Sequence, residues 1–101
     1  MYDLVVLVVD RDERVRLAVV TALRSLGLRA LGVVIPDEAV SLLEGIDCDV
    51  AVVRGDGHEA AVAVLQRRTP VVLVDESATV EDMVVGLLRA MGRPEEAAQI
   101  N

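Results

Sequence analysis

The sequence predicts an α/β fold in which a parallel sheet of about four strands is covered by helices on both faces. Runs rich in Val and Leu alternate along the chain with segments whose apolar residues recur at helical spacing. The runs begin about twenty residues apart, which leaves room for a helical crossover between parallel strands. With 101 residues, the chain is expected to form one domain spanning residues 1–101.

The first half of the chain contains two predicted strands, each followed by a helix. Leu4–Val9 is unbroken apolar sequence, which is typical of a central strand buried on both faces. Acidic residues such as Asp12 follow it and favour a helix start, and Gly27 ends that helix. Leu28–Val34 is the second predicted strand, and the short helix after it stops at Gly45.

The second half of the chain repeats the alternation. Thr79 and Asp82 match a capping box at the start of its last main helix. The predicted strands are Cys48–Val53 and Val71–Val74, and the predicted helices are His58–Arg68, residues 80–91 and a further turn at Glu95–Ile100.

Composition and charge narrow the class of protein. A net charge of -7 argues against a nucleic-acid-binding surface, which needs clustered positive charge. One cysteine excludes an internal disulfide and fits a reducing compartment. The apolar run Leu4–Val9 is too short to span a membrane. We therefore expect a cytoplasmic protein that binds neither nucleic acid nor membranes directly.

Charged side chains collect where the predicted strands end. In open parallel sheets, ligands bind beyond the carboxyl ends of the strands. If the first, third and fourth strands are neighbours, seven residues face one crevice at that rim: Asp10, Arg11 and Asp12 after the first strand, Arg54 and Asp56 after the third, and Asp75 and Glu76 after the fourth.

Residues 4–92 resemble the receiver domain of response regulators, the phospho-aspartate switch of two-component signalling. VVLVVDRDERVRLAVVTALRSLG is similar to the family's first strand, acidic turn and first helix. CDVAVV resembles its third strand, and TPVVLVDESATVEDMVVGLLRAMG its fourth strand and helix. The resemblance implies a flavodoxin-like three-layer sandwich with strand order 2-1-3-4. A fifth strand and fifth helix are not evident, so the fold is expected to be truncated at its C-terminal end.

The resemblance implies a degenerate site, that of a pseudo-receiver. The family's two adjacent acids fall on Asp10 and Arg11, its phosphoacceptor aspartate on Arg54, and its switch Ser or Thr on Asp75. The family's lysine has no counterpart, since the chain contains no lysine. A guanidinium stays protonated and cannot act as a nucleophile. We expect no metal, no cofactor and no enzymatic activity.

Several rim residues keep two interpretations. Arg54 would occupy the place of the cation, held by Asp10 and Asp75, or would be a surface residue reaching solvent. Asp12 is best explained as a helix cap. Asp12, Asp56 and Glu76, with neighbouring acids, would form a displaced Mg²⁺ cluster, or Asp56 would only stabilise a tight RGDG turn. His58 would accept phosphate, or would be a polar residue at the start of a helix.

The last main helix is too apolar for one face of a surface helix, which predicts a partner surface. A bare fourth-strand edge beside it favours a two-fold homodimer. The function expected is a phosphorylation-independent interaction and dimerisation module in bacterial signal transduction or transcription control. The alternatives are a Mg²⁺-dependent phosphoacceptor domain using Asp56 or His58, and a small-ligand binder. The predicted interface comprises Val74, Met83, Val84, Leu87, Leu88 and Met91.

Overall fold

The computed structural model of the protein describes residues 4–93 and residue 97. Four strands and four helices alternate, and the strands form one parallel sheet in the order β2-β1-β3-β4. The predicted fold is confirmed. The elements are β1 (Val5–Val9), α1 (Glu13–Ser25), β2 (Arg29–Val33), α2 (Pro36–Leu42), β3 (Val50–Arg54), α3 (Glu59–Arg68), β4 (Val71–Val74) and α4 (Val80–Ala90).

The boundaries differ from the prediction by one or two residues. β3 begins at Val50 instead of Cys48 and includes Arg54. α3 begins after His58, which stands at the N-cap position without a side-chain capping hydrogen bond. Within residues 4–93 and 97 the structure has no fifth strand. The predicted turn at Glu95–Ile100 lies outside the described residues except for Ala97, which is helical and buried.

The central strands β1 and β3 determine where the charged side chains meet. Val9 pairs with Val53 across the two strands, so Asp10 and Arg54 follow side by side at their carboxyl ends. Both strands are buried on both faces because helices cover the sheet above and below. The rim is therefore anchored on the most buried part of the sheet.

Two separate hydrophobic cores lie on the two faces of the sheet. On one face, α1 and α4 pack together over side chains such as Val8 and Val52. On the other face, α2 and α3 pack together over Leu7 and Ala51. The two faces of a strand thus carry alternate residues, as the pleat of a strand requires.

α4 does not lie on the face of the sheet that a further right-handed crossover would use. A right-handed crossover from β3 to β4 places α3 on its face of the sheet. A helix leading on to a strand beyond β4 would lie on that same face. α4 lies instead on the α1 face, where it covers the part of the sheet that α1 leaves open.

The predicted exposure of α4 as an interface is therefore wrong. Met83, Leu87 and Leu88 are 0% exposed and Val84 is 3% exposed, all within the core that α4 shares with α1. The two remaining members of the predicted interface, Val74 and Met91, are partly buried against the same core. The apolar excess of α4 is explained by burial inside one chain, because α4 packs against both the sheet and α1.

The helix starts agree with the sequence signals. The Asp12 carboxylate accepts hydrogen bonds from the N–H groups of Arg14 and Val15, so Asp12 is the cap of α1. Thr79 and Asp82 form the predicted capping box of α4. No helix among the described residues combines the length and apolar character needed to cross a membrane.

The burial of α4 predicts a large cost for truncating one of its side chains. Leu87→Ala removes a fully buried side chain, so we expect the free energy of unfolding to fall by about 2–5 kcal/mol in urea denaturation. Leu17→Ala is the matched control, because Leu17 is 55% exposed and its truncation should cost less than about 0.5 kcal/mol. Equal effects of the two substitutions would contradict the placement of α4 in the core.

Candidate functional site

The rim forms a cleft of about 270 Å³ at the carboxyl ends of the strands. Six of the seven predicted rim residues line it together with Gly55. The seventh, Asp75, lines a neighbouring groove between α3 and β4. The residues of the cleft, hereafter the rim cleft, are Asp10, Arg11, Asp12, Arg54, Gly55, Asp56 and Glu76.

An ion pair between Asp10 and Arg54 occupies the centre of the rim cleft. Arg54 Nε lies 2.7 Å from Asp10 Oδ2, and Arg54 Nη2 lies 3.1 Å from Asp10 Oδ1. The side chains are 2% exposed for Asp10 and 13% exposed for Arg54. The hydrogen bonds with Asp10 raise the pKa of Arg54 above its ordinary value. The predicted contact between these two residues is present, and the contact is bidentate.

The remaining hydrogen bonds of this pair tie three elements together. Arg54 Nη1 donates to the carbonyl oxygen of Glu76 at 2.7 Å, and the N–H of Asp12 donates to Asp10 Oδ1 at 3.0 Å. Arg16 also donates to the carbonyl oxygen of Asp10. Arg54 therefore connects the ends of β1 and β3 with the loop between β4 and α4.

The predicted contact between Arg54 and Asp75 is wrong. The Asp75 carboxylate instead accepts hydrogen bonds from the N–H and the hydroxyl of Ser77, two residues along the same loop. These bonds hold the pKa of Asp75 below its ordinary value. The local turn places Asp75 toward α3, so the backbone carbonyl of Glu76 takes the place expected for the Asp75 side chain.

Arg11, His58 and Asp37 form a second polar cluster at the same rim. Arg11 Nη2 lies 2.6 Å from His58 Nε2, and His58 Nδ1 lies 2.8 Å from Asp37 Oδ1. A guanidinium only donates hydrogen bonds, so Nε2 is the acceptor and Nδ1–H donates to Asp37. Both ring nitrogens of His58 are therefore engaged by protein groups.

Asp37 was not predicted as a site residue. The sequence places Arg11, Asp37 and His58 after the ends of three successive strands, but their spacing does not show that their side chains meet. What brings His58 back toward α2 is a left-handed turn, with φ of 97° at Gly55 and Gly57 and 56° at His58. Such angles favour glycine, which explains the RGDG sequence before His58.

The acidic side chains of the rim cleft do not converge on a shared ion position. Asp12 is engaged as the cap of α1, and Asp56 and Glu76 are exposed. Within the described part of the chain, no group of three or more His, Cys, Asp or Glu side chains is arranged to hold a metal ion. The alternative of a displaced Mg²⁺ cluster has no geometric support.

The residues present do not fit the Mg²⁺ that the receiver resemblance implies. Both carboxylate oxygens of Asp10 accept hydrogen bonds from Arg54, and the second acid of the family pattern is replaced by Arg11. Two like unit charges about 4 Å apart cost about 4 kcal/mol at an effective dielectric constant of about 20. A dication next to Arg54 would face about twice that cost before gaining an oxygen ligand.

Comparison with solved structures gives the fold. A response regulator from Thermotoga maritima is 20% identical, with a TM-score of 0.65, and the alignment covers 98% of this chain and 98% of that chain. A beryllofluoride-activated NtrC receiver domain is 19% identical, also with a TM-score of 0.65, over 99% of this chain and 92% of that chain. No protein-family model and no curated protein sequence matches. The chain therefore has the flavodoxin-like fold of receiver domains.

The buried ion pair predicts strong coupling between its two members. Asp10→Ala leaves the Arg54 guanidinium without its counter-charge, and we expect the free energy of unfolding to fall by about 3 kcal/mol. The double variant Asp10→Ala/Arg54→Met should lose less than the sum of the two single variants, by at least about 1 kcal/mol. Urea denaturation of the four proteins in this cycle measures the coupling, and additive effects would contradict it.

The local bonds of Asp75 predict a titration shift. Ser77→Ala removes the hydroxyl donor, so the pKa of Asp75 should rise toward its ordinary value. The stabilisation from that hydroxyl is present above the ordinary pKa and is lost as the pH falls through the lowered folded-state value. An NMR titration of the Asp75 carboxyl measures this, with Ser25→Ala as the control that leaves the titration unchanged.

Proposed function

We propose that this protein is a receiver-like interaction module that acts without phosphorylation in bacterial signal transduction or transcription control. The observation that supports it best is the bidentate Arg54–Asp10 pair at the end of β3, where the receiver resemblance places the phosphoacceptor. The two similar solved structures, a response regulator and a receiver domain, suggest the signalling role. A cytoplasmic location and the absence of enzymatic activity belong to the same proposal.

The ion pair gives this proposal its mechanism. In the proposed role, the Arg54 guanidinium supplies a permanent positive charge at the rim, and it holds the β4–α4 loop through the Glu76 carbonyl. The loop then keeps one arrangement without a phosphoryl group, because the tethering cation is part of the chain. A partner would therefore bind a surface whose shape does not depend on a kinase.

The alternative function is a phosphoacceptor domain with a displaced acceptor. Asp56 is the observation that favours it, because its carboxylate is exposed in the rim cleft. His58 is less suited to that role, because Nε2 already accepts a hydrogen bond from Arg11. The alternative also needs a divalent cation, and both Asp10 oxygens already accept hydrogen bonds from the Arg54 guanidinium, whose charge repels a cation.

Incubation with acetyl phosphate and Mg²⁺ separates the two functions. We expect the intact mass of the protein to stay unchanged, while an active receiver domain treated in parallel gains one phosphoryl group. A stoichiometric gain by this protein would overturn the proposal. Asp56→Asn and His58→Gln would then identify the acceptor, because only the variant lacking it would fail to gain the group.

A further inference from the structure

The two edges of the sheet differ in the side-chain contacts made to their outward backbone groups. At the β2 edge, Arg24 Nη2 donates to the carbonyl oxygen of Ala30 at 3.0 Å. The backbone groups of Arg29 and Val33 hydrogen-bond to β1. By alternation, the backbone N–H and C=O groups of Ala30 point away from β1, at the free edge of β2. One arginine side chain therefore covers part of the β2 edge, and charged side chains on an edge strand are a common protection against strand pairing.

For the β4 edge, residues 4–93 and 97 show no such hydrogen bond. Pro70 and Val74 direct their carbonyl groups to β3, so by alternation Val71 and Leu73 present their N–H and C=O groups outward. Among residues 4–93 and 97, no hydrogen bond to these outward groups is present. Leu73 is also 55% exposed, on the α3 face of the sheet. The exposure follows from α4 lying on the opposite face.

We propose that a second copy of this chain pairs with the β4 edge as an antiparallel strand, so that two sheets form one continuous sheet about a two-fold axis. The axis passes beside Leu73, so Leu73 of each copy lies opposite Leu73 of the other and the two side chains cover each other. The proposal rests on the interaction role proposed above and names the partner. The proposed interface keeps the predicted fourth strand, and α3 takes the place of the predicted α4.

The charge distribution along the β4 edge is self-complementary. α3 runs antiparallel to β4, so its acidic start lies next to the end of β4, and its basic end lies next to the start of β4. Glu59 lines the α3–β4 groove with Asp56 and Asp75, and Arg67 lies in the last turn of α3.

A two-fold axis perpendicular to the sheet keeps both α3 helices on one face and makes them antiparallel. Glu59 of one copy then faces Arg67 of the other, and the same contact repeats on the other side of the axis. A strand with charges of one sign would match only one end of the groove, because the acidic end and the basic end carry opposite charges. The distribution therefore favours a second copy over an acidic or a basic peptide.

Sedimentation equilibrium of the full chain over a micromolar concentration range tests the dimer. We expect the wild-type protein to dimerise and Leu73→Lys to weaken dimerisation by about tenfold or more, because two lysines would meet at the axis. Leu17→Lys is the control, since Leu17 is equally exposed but lies on α1. A monomeric wild type, or equal weakening by both substitutions, would overturn the proposal.

A charge exchange tests the orientation of the two copies. Glu59→Arg and Arg67→Glu each place like charges opposite each other, and each should weaken dimerisation by about fivefold. The double variant restores opposite charges across the axis, so its dissociation constant should return to within about threefold of the wild type. Failure of the double variant to recover would overturn the antiparallel arrangement.

These outcomes are independent of the phosphorylation test. A monomer that gains no phosphoryl group would remove the dimer and leave phosphorylation independence intact. A dimer that gains a phosphoryl group would support the dimer and overturn phosphorylation independence. Thermal unfolding of each variant, followed by circular dichroism, establishes that a loss of dimer is not a loss of fold. Leu73, Glu59 and Arg67 are all exposed, so we expect the variants to fold.

Discussion

The Asp10–Arg54 ion pair is the interaction on which the rim of this protein depends. These two charged side chains lie at the ends of the two most buried strands, where each needs a counter-charge. Each is the counter-charge of the other. The same guanidinium holds the Glu76 carbonyl, so the loop before α4 is attached to the centre of the sheet. The pair also engages both carboxylate oxygens of Asp10, which a divalent cation would use as ligands.

A second constraint is that the described sheet ends at β4. α4 then packs beside α1, and its apolar side chains complete the core on that face. On the other face Leu73 stays exposed, and among residues 4–93 and 97 no strand pairs with the outward backbone groups of β4. The rim and the β4 edge are thus separate features: the first carries the proposal of a role without phosphorylation, and the second carries the proposal of pairing with a second copy.

The fold was predictable from the sequence because its elements are determined locally. The four apolar runs, the Asp12 cap and the Thr79 capping box all lie where the sequence signals place them. The Arg54–Asp10 contact was predictable because both residues end neighbouring strands. Three features were not predictable: the loop turn that directs Asp75 to Ser77, the left-handed turn that brings His58 to Asp37, and the face chosen by α4. Each depends on a loop conformation that residue spacing does not specify.

By itself the sequence determined that position 54 carries no phosphoacceptor, since an arginine side chain has no nucleophilic oxygen. It also determined the alternation of strands and helices, since periodicity and caps act over a few residues. Only the tertiary structure decided that the apolar face of α4 belongs to the core. Periodicity shows that α4 is apolar, but the burial of Met83 and Leu87 depends on the packing of α4 against both the sheet and α1.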